Sequence, residues 1–282
     1  MTDLIIIGAG PAGISAAIYA VRAGINTEII HNNKSSLHKA ALIQNYYGNK
    51  TSGEELYNYG INQAKELGAK ITEEEVTEIS YNGNFSITTS NGETISSKAL
   101  IIAVGTKKAA PNIKGLKEFE GKGVSYCAVC DAFFYRNKKV AIIGAGAYAK
   151  SEASVLNNLC DVTILLNGKK TKETFDNKII NKEIAEIIGD KIVTAVKFKD
   201  GSKELFDGIF IAEGSMGAYD FAKKLGLKTE AGNIITQNTK TAINGLFCCG
   251  DCTGKRLQIA KAVNEGMEAG FYAINFLKEM RN

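Results

Sequence analysis

The 282-residue sequence predicts an α/β protein of two three-layer domains, each a parallel sheet covered by helices, with the first domain discontinuous. Three observations predict it: a strand–glycine turn–helix–strand unit at the start, a second such unit from Lys139, and a closing strand and helix after Thr241. In the first unit, Leu4–Ile7 is an unbroken apolar run of the kind buried on both faces of a parallel sheet. Gly8-Ala9-Gly10-Pro11-Ala12-Gly13 follows at once, then an alanine-rich helix to Ala23 and a strand at Thr27–Ile30. Glycines there let the backbone turn sharply and approach a pyrophosphate, which rests on the helix N-terminus. Alone the Gly-x-Gly-x-x-Gly string has little specificity; the strand–turn–helix setting gives it weight.

Gly53–Gly68 has the periodicity of an amphipathic helix, and Ile71–Ile102 reads as short strands turning at Asn82-Gly83 and Asn91-Gly92. Ala99–Gly105 is a further buried strand ending at a glycine, and Lys107–Lys114 a polar linker. The second unit runs through a strand at Lys139–Ile143, the turn Gly144-Ala145-Gly146-Ala147-Tyr148-Ala149, a helix to Leu159 and a strand at Asp161–Leu166. Two such units imply two Rossmann-like domains. A hairpin is expected from Ile192–Phe198 and Leu205–Phe210 around Asp200-Gly201. The chain then returns to the first domain with a strand at Gly245–Cys249 and a helix from Gln258 to Leu277. The expected limits are residues 1–108 with 241–282 for the first domain and 109–240 for the smaller second.

Hydrophobic residues are 45% and charged residues 23% of the chain, the balance of a globular enzyme. The net charge is +4, and the lysines come in pairs rather than a dense stripe, which argues against nucleic acid as a partner. The opening lacks a basic leader and no stretch has the length of a bilayer span, so no membrane association and a cytoplasmic location are expected. In that compartment structural disulfides are rare, so the six cysteines are candidates for catalysis, metal binding or burial.

Six segments carry a resemblance. They are Gly8–Gly13, Gln44-Asn45-Tyr46-Tyr47-Gly48, Ala103-Val104-Gly105-Thr106, Cys127-Ala128-Val129-Cys130-Asp131-Ala132-Phe133-Phe134-Tyr135-Arg136, Gly245–Asp251 and Leu257–Gly266. With them the chain resembles the low-molecular-weight thioredoxin reductases over essentially its whole length. The resemblance implies two domains of the FAD/NAD(P)-linked disulfide reductase type and FAD as cofactor. It puts Gly8, Ala9, Gly10, Pro11, Ala12 and Gly13 at the pyrophosphate, Val76 at the adenine, and Asn45 and Gly105 by the flavin. It also puts Gly250 and Asp251 at the ribitol or phosphate, and Gln258 with the Ile259 amide at the pyrimidine edge. The second strand ends on His31, where the family usually has an acid for the ribose; His31 takes that place or is a solvated loop residue.

A pair of cysteines two residues apart closes a small ring and exchanges two electrons, the number a flavin delivers. On the resemblance, Cys130 faces the flavin, Cys127 attacks the disulfide of thioredoxin, and Asp131 handles the leaving thiol's proton. Phe133 and Phe134 are then part of the surface that docks thioredoxin, and a homodimer is expected. No metal is expected: a zinc site needs a second suitable pair, and in Cys248-Cys249-Gly250-Asp251-Cys252 the Gly-Asp belongs to the flavin motif. Cys249, Cys252 and Cys160 read as buried.

The second glycine unit departs from the family. Users of NADPH follow it with arginines that clamp the 2′-phosphate by paired hydrogen bonds. Here the strand runs into Leu166-Asn167-Gly168, and no arginine lies between Arg136 and Arg256. Lys169, Lys170 and Lys172 supply charge without the planar fork, and Tyr148 stands where a small or polar residue lets the nicotinamide half pass. This combination resembles the ferredoxin-dependent flavin thioredoxin reductases of anaerobes. The expected donor is therefore ferredoxin; the alternatives are a variant NAD(P)H site and a non-catalytic FAD-bound redox sensor.

Overall fold

In a computed structural model of the chain, residues 2–105, 111–254 and 256–281 are described. The chain divides into two compact units, Met1–Lys107 with Gly217–Asn282, and Lys108–Met216. The helices are α1 (Pro11–Arg22), α2 (Gly53–Glu66), α3 (Ala128–Asp131), α4 (Ala147–Leu156), α5 (Ala218–Lys224) and α6 (Ile259–Glu279).

The first unit is built on the strand Thr2–Ile7, whose Leu4, Ile5, Ile6 and Ile7 are all buried. It pairs in parallel with Thr27–His31 on one side and Thr94–Ile102 on the other. Lys70–Glu73 extends the first edge in parallel, and Leu246–Cys248 lies parallel to the last residues of Thr94–Ile102. The start of that long strand pairs antiparallel with Asn84–Thr89, which pairs with Val76–Asn82. Gly83 and Gly92, both at positive φ, make the two expected turns. α1 and α6 pack closely because their facing residues are small: a Cβ on Gly266 would come within 2.1 Å of the Ala12 carbonyl oxygen. Ala16, Ala17, Ala269 and Ala273 are buried in the same core. α2 begins with a full capping box in which Ser52 accepts from the Glu55 amide and the Glu55 carboxylate accepts from the Ser52 amide.

The second unit holds a five-stranded parallel sheet in the order 178–180, 161–165, 139–143, 208–211, 124–125. A separate antiparallel sheet joins Ile184–Gly189, Val193–Phe198 and Lys203–Leu205. The Asp200-Gly201 turn is present, but the expected strand Leu205–Phe210 is two strands in two sheets. Leu205 closes the hairpin, and Gly208–Ile211 lies parallel to Lys139–Ile143 as a core strand.

The return to the first unit falls at Gly217 rather than near residue 241. α5 packs on the strand Val76–Asn82, and Asn233 lies against Gly254, so residues 217–240 share their packing with the first unit. Of the expected linker, residues 107–110 lie outside the described residues; Ile113 and Leu116 are buried, and Lys114 bridges to Glu186 at 2.7 Å. Among the described residues no helix is long and apolar enough to cross a membrane.

Candidate active site

Two places are candidates for the site, each within one unit. The first is the turn into α1. Gly8 has φ +109°, and a Cβ there would lie 2.4 Å from the Ala103 carbonyl oxygen, so only glycine lets the chain leave its strand this way. A Cβ on Gly13 would lie 1.9 Å from the Gly8 carbonyl oxygen, which brings α1 tight onto the strand. Gly10 precedes the helix, Pro11 is its first residue, and no side chain caps it. Its leading amides are therefore disposed to meet an anion.

Beside this turn is the segment Gly250–Thr253, clipped by two residues one helical turn apart on α6. Lys261 Nζ donates to the carbonyls of Gly250 at 2.7 Å and Gly254 at 2.9 Å, and pairs with Glu265 at 2.9 Å. Glu265 in turn accepts from the Gly250 amide at 2.9 Å. Asp251 is half-buried on this segment; burial pushes its carboxyl above the ordinary range, against the pull of Lys261. Asn45 Nδ2 donates to Gln258 Oε1 at 3.1 Å, joining two of the residues singled out in the sequence. Ala9, Ala12 and Val76 are buried, and Gly105 has φ +71°.

His31 is bonded rather than solvated. Its Nδ1 accepts from the Asn33 amide at 3.1 Å, so that nitrogen carries no proton, and the Tyr57 hydroxyl donates to the same atom at 3.0 Å. Burial lowers its pKa, with Lys65 acting in the same sense and Glu73 opposing, so the ring is neutral with its proton on Nε2.

The second place is the cysteine turn. Cys127 and Cys130 form a disulfide with Cα atoms 5.3 Å apart. Cys127 caps α3, its Sγ accepting from the Cys130 amide at 3.2 Å. Ser125 Oγ accepts from the Cys127 amide at 3.1 Å and donates to Asp131 Oδ2 at 2.6 Å, so one hydroxyl ties the two ends of the turn together. Cys127 is 3% exposed while Cys130 is exposed. Attack by Cys127 on another protein therefore requires it to be uncovered first. Phe133 (71% exposed) and Phe134 (70%) stand with Val129 as apolar side chains in water next to the disulfide, an arrangement that suits a partner surface.

Residues 2–266 match the pyridine nucleotide-disulphide oxidoreductase family. A thioredoxin reductase of Listeria innocua is 34% identical over 99% of this chain and 95% of its own length. The chain belongs to the thioredoxin reductase family. The crystal structure of the atypical thioredoxin reductase TRi from Desulfovibrio vulgaris Hildenborough superposes with a TM-score of 0.94 at 36% identity, covering 99% of each chain. That of a ferredoxin-flavin thioredoxin reductase from Clostridium acetobutylicum gives a TM-score of 0.76 at 32% identity, over 99% of this chain and 98% of that one. Thioredoxin reductases of this family bind FAD, and FAD is the cofactor here.

The remaining cysteines take no part in the disulfide. Cys248, Cys249 and Cys252 are buried, and Cys160 is half-buried with burial raising its thiol. Burial also raises Cys248 and Cys249 well above the ordinary thiol, and pushes Cys252 up to about 12. Only a thiolate alkylates or exchanges readily. In the folded holoprotein at neutral pH, iodoacetamide is expected to leave these three unlabelled while it labels Cys130 after reduction; peptide mass spectrometry reads the pattern. The same shifts set an alkaline limit. The folded state holds these protons more tightly than the unfolded chain, so the stability they lend is full below the ordinary thiol value of 9.0 and is lost as pH rises toward about 12. Among the described residues no group of three or more His, Cys, Asp or Glu side chains is arranged to hold a metal ion.

Sequence reading missed Ser125, Lys261 and Glu265. Lys261 and Glu265 are a visible i,i+4 pair, whereas nothing local marks Ser125 as the residue that bridges the cysteine turn.

Proposed function

We propose that this chain is a thioredoxin reductase fed by reduced ferredoxin, with FAD in the first unit and Cys127–Cys130 as the pair that meets thioredoxin. The fit of the first unit supports the FAD placement. The uncapped start of α1 behind Gly8–Gly13 receives the pyrophosphate, and the half-buried Asp251 carboxylate receives a ribitol hydroxyl. The Asn45–Gln258 pair and the Ile259 amide take the flavin edge, and His31 Nε2–H donates to the ribose. FAD, when bound, delivers electrons in pairs. Two electrons and two protons open the disulfide to two thiols. Cys127, once deprotonated, attacks the thioredoxin disulfide and forms a mixed disulfide; the Cys130 thiol resolves it, restoring Cys127–Cys130 and releasing thioredoxin as a dithiol. Asp131, held by Ser125, accepts and returns the proton of that exchange.

The second glycine turn is the observation that carries the choice of donor. Thr171 Oγ1 donates to the Ala145 carbonyl at 2.8 Å, folding the segment after the second strand back onto the turn. Glu173 lies 3.7 Å from Lys150 on α4, and Lys169, a candidate phosphate ligand, is already paired with Glu213. A pyrophosphate there would meet two carboxylates and no arginine. The similarity to the ferredoxin-flavin thioredoxin reductase from Clostridium acetobutylicum supports the same reading. A homodimer contact on α1, α2 and α6 is part of the proposal, supported by the exposed Tyr19, Tyr59 and Phe271 on those helices.

Anaerobic titration of the yellow holoprotein tests the proposal. Reduced ferredoxin is expected to bleach the flavin and, with thioredoxin present, to sustain many turnovers, while NADPH and NADH leave the absorbance unchanged. Stoichiometric bleaching by NADPH or NADH reinstates a nicotinamide site. Bleaching by ferredoxin without thioredoxin turnover makes the chain a sensor.

A further inference from the structure

α4 carries two buried side chains that reach the cysteine turn. Tyr148 and Glu152 are four residues apart, so they project from the same face of the helix, and both are 1% exposed. Their contacts lie on the backbone that leads into the disulfide. The Tyr148 hydroxyl donates to the Tyr126 carbonyl at 3.1 Å. The Ala128 amide donates to Glu152 Oε2 at 2.6 Å. Two side chains thus hold the segment on either side of Cys127, and the second brings a carboxylate to the nitrogen bonded to the Cys127 carbonyl carbon.

A buried carboxylate needs a reason, since a glutamine of the same shape would also accept an amide hydrogen. Its charge supplies one. Reducing the disulfide frees the buried Cys127 as a thiol that acts as a thiolate, and a carboxylate held on the next residue's amide disfavours a second negative charge there. The dithiol is then less stable relative to the disulfide, which makes it the stronger reductant. We propose that Glu152 is a positioning residue that fixes the redox turn through the Ala128 amide and, by its charge, keeps the Cys127–Cys130 pair reducing, with Tyr148 as its uncharged brace. This deepens the assignment of Cys127 and Cys130 as the working pair and rests on it. In this chain the helix of the second glycine unit thus serves the disulfide.

The thiol–disulfide equilibrium of the holoprotein tests this independently of turnover. Unsubstituted, Glu152→Gln, Glu152→Asp and Tyr148→Phe proteins are equilibrated with dithiothreitol of set ratio, alkylated, and assayed for the redox state of Cys127 and Cys130 by mass. Glu152→Gln is expected to shift the equilibrium about tenfold toward dithiol, or ~30 mV for two electrons. Glu152→Asp, which keeps the charge, and Tyr148→Phe are expected to shift it no more than about threefold, within ~15 mV. A Glu152→Gln equilibrium like that of the unsubstituted protein, or a Tyr148→Phe shift as large as that of Glu152→Gln, overturns the proposal. A second arm needs no variant: in the unsubstituted protein the Ala128 amide is expected to exchange at least ~100-fold more slowly than that of exposed Val129. Equal rates also overturn it. Loss of the working-pair assignment would show differently, as turnover retained when either cysteine is replaced.

Discussion

Cys127→Ser and Cys130→Ser are each expected to lower thioredoxin reduction by about 10³-fold or more, and the double variant to lose no more than either alone, because groups that act as one unit fail together. FAD content should be unchanged, since the cysteines lie in Lys108–Met216 and the glycine turn, Asp251 and the Asn45–Gln258 pair all lie in the other unit. Anaerobic turnover with reduced ferredoxin and thioredoxin measures the first expectation, and the flavin-to-protein absorbance ratio the second. The variants also assign the two sulfurs. With Cys130 replaced, Cys127 remains to attack and is expected to hold thioredoxin as a stable mixed disulfide, visible by mass. With Cys127 replaced, no such trap should form. The reverse pattern would give the attack to Cys130, the residue that is exposed where Cys127 is 3% exposed. Retained turnover in either single variant refutes the pair.

What the sequence disclosed and what it hid separate along a physical line. Apolar runs such as Leu4–Ile7, the glycine turns at Gly8–Gly13 and Gly144–Gly146, and the Cys-x-x-Cys string are local, and each has a period or a spacing that fixes its own geometry. The parallel strands at the core of both units, the two hairpin turns of the first unit and the closing helix follow from such signals. Asn45 and Gln258 were singled out separately, and the fold brings them to 3.1 Å. Hidden were the contacts decided by register. Leu205–Phe210 looks like one strand because four of its six residues are large and apolar, yet Asp207 and Gly208 break it, and only pairing with Lys139–Ile143 reveals the second part as core. The segment 217–240 has no glycine or cysteine signature, and its membership is settled by α5 packing on a strand far away in sequence. Glu152 sits among small residues of α4, and no sequence rule aims its carboxylate at Ala128. Tyr148 was legible as an obstacle to a nucleotide but not as a brace for the cysteine turn.

The first glycine turn permits the sharpest test of how sequence sets the cofactor site. Gly13 has ordinary helical backbone, so alanine there meets no conformational penalty; the obstacle is space. Its Cβ would stand 1.9 Å from the Gly8 carbonyl oxygen and 3.3 Å from Ile6 Cγ2, and backbone at the first of these cannot move aside as a side chain can. α1 cannot retreat either, because on its other side Gly266 already brings α6 so close that a Cβ would lie 2.1 Å from the Ala12 carbonyl oxygen. Wedged between sheet and helix, α1 must tilt or the core must open. Gly13→Ala is therefore expected to destabilise the unit by about 3 kcal/mol, the upper end for overpacking. For a domain of this size that lowers the melting temperature by roughly 6–12 °C. It should also strip FAD, because the displaced end of α1 is the part proposed to receive the pyrophosphate. Gly10→Ala separates the two effects. Its Cβ would meet nothing nearer than Ser35 Oγ at 4.0 Å, so the apoprotein should melt within about 2 °C of the unsubstituted one, while on the proposed placement of the pyrophosphate FAD should bind more weakly. Calorimetry of the apoproteins and fluorescence titration with FAD give both readings. If Gly13→Ala kept its flavin and its melting temperature, α1 would not be wedged, and the turn would be a connection between strand and helix with no part in holding the cofactor.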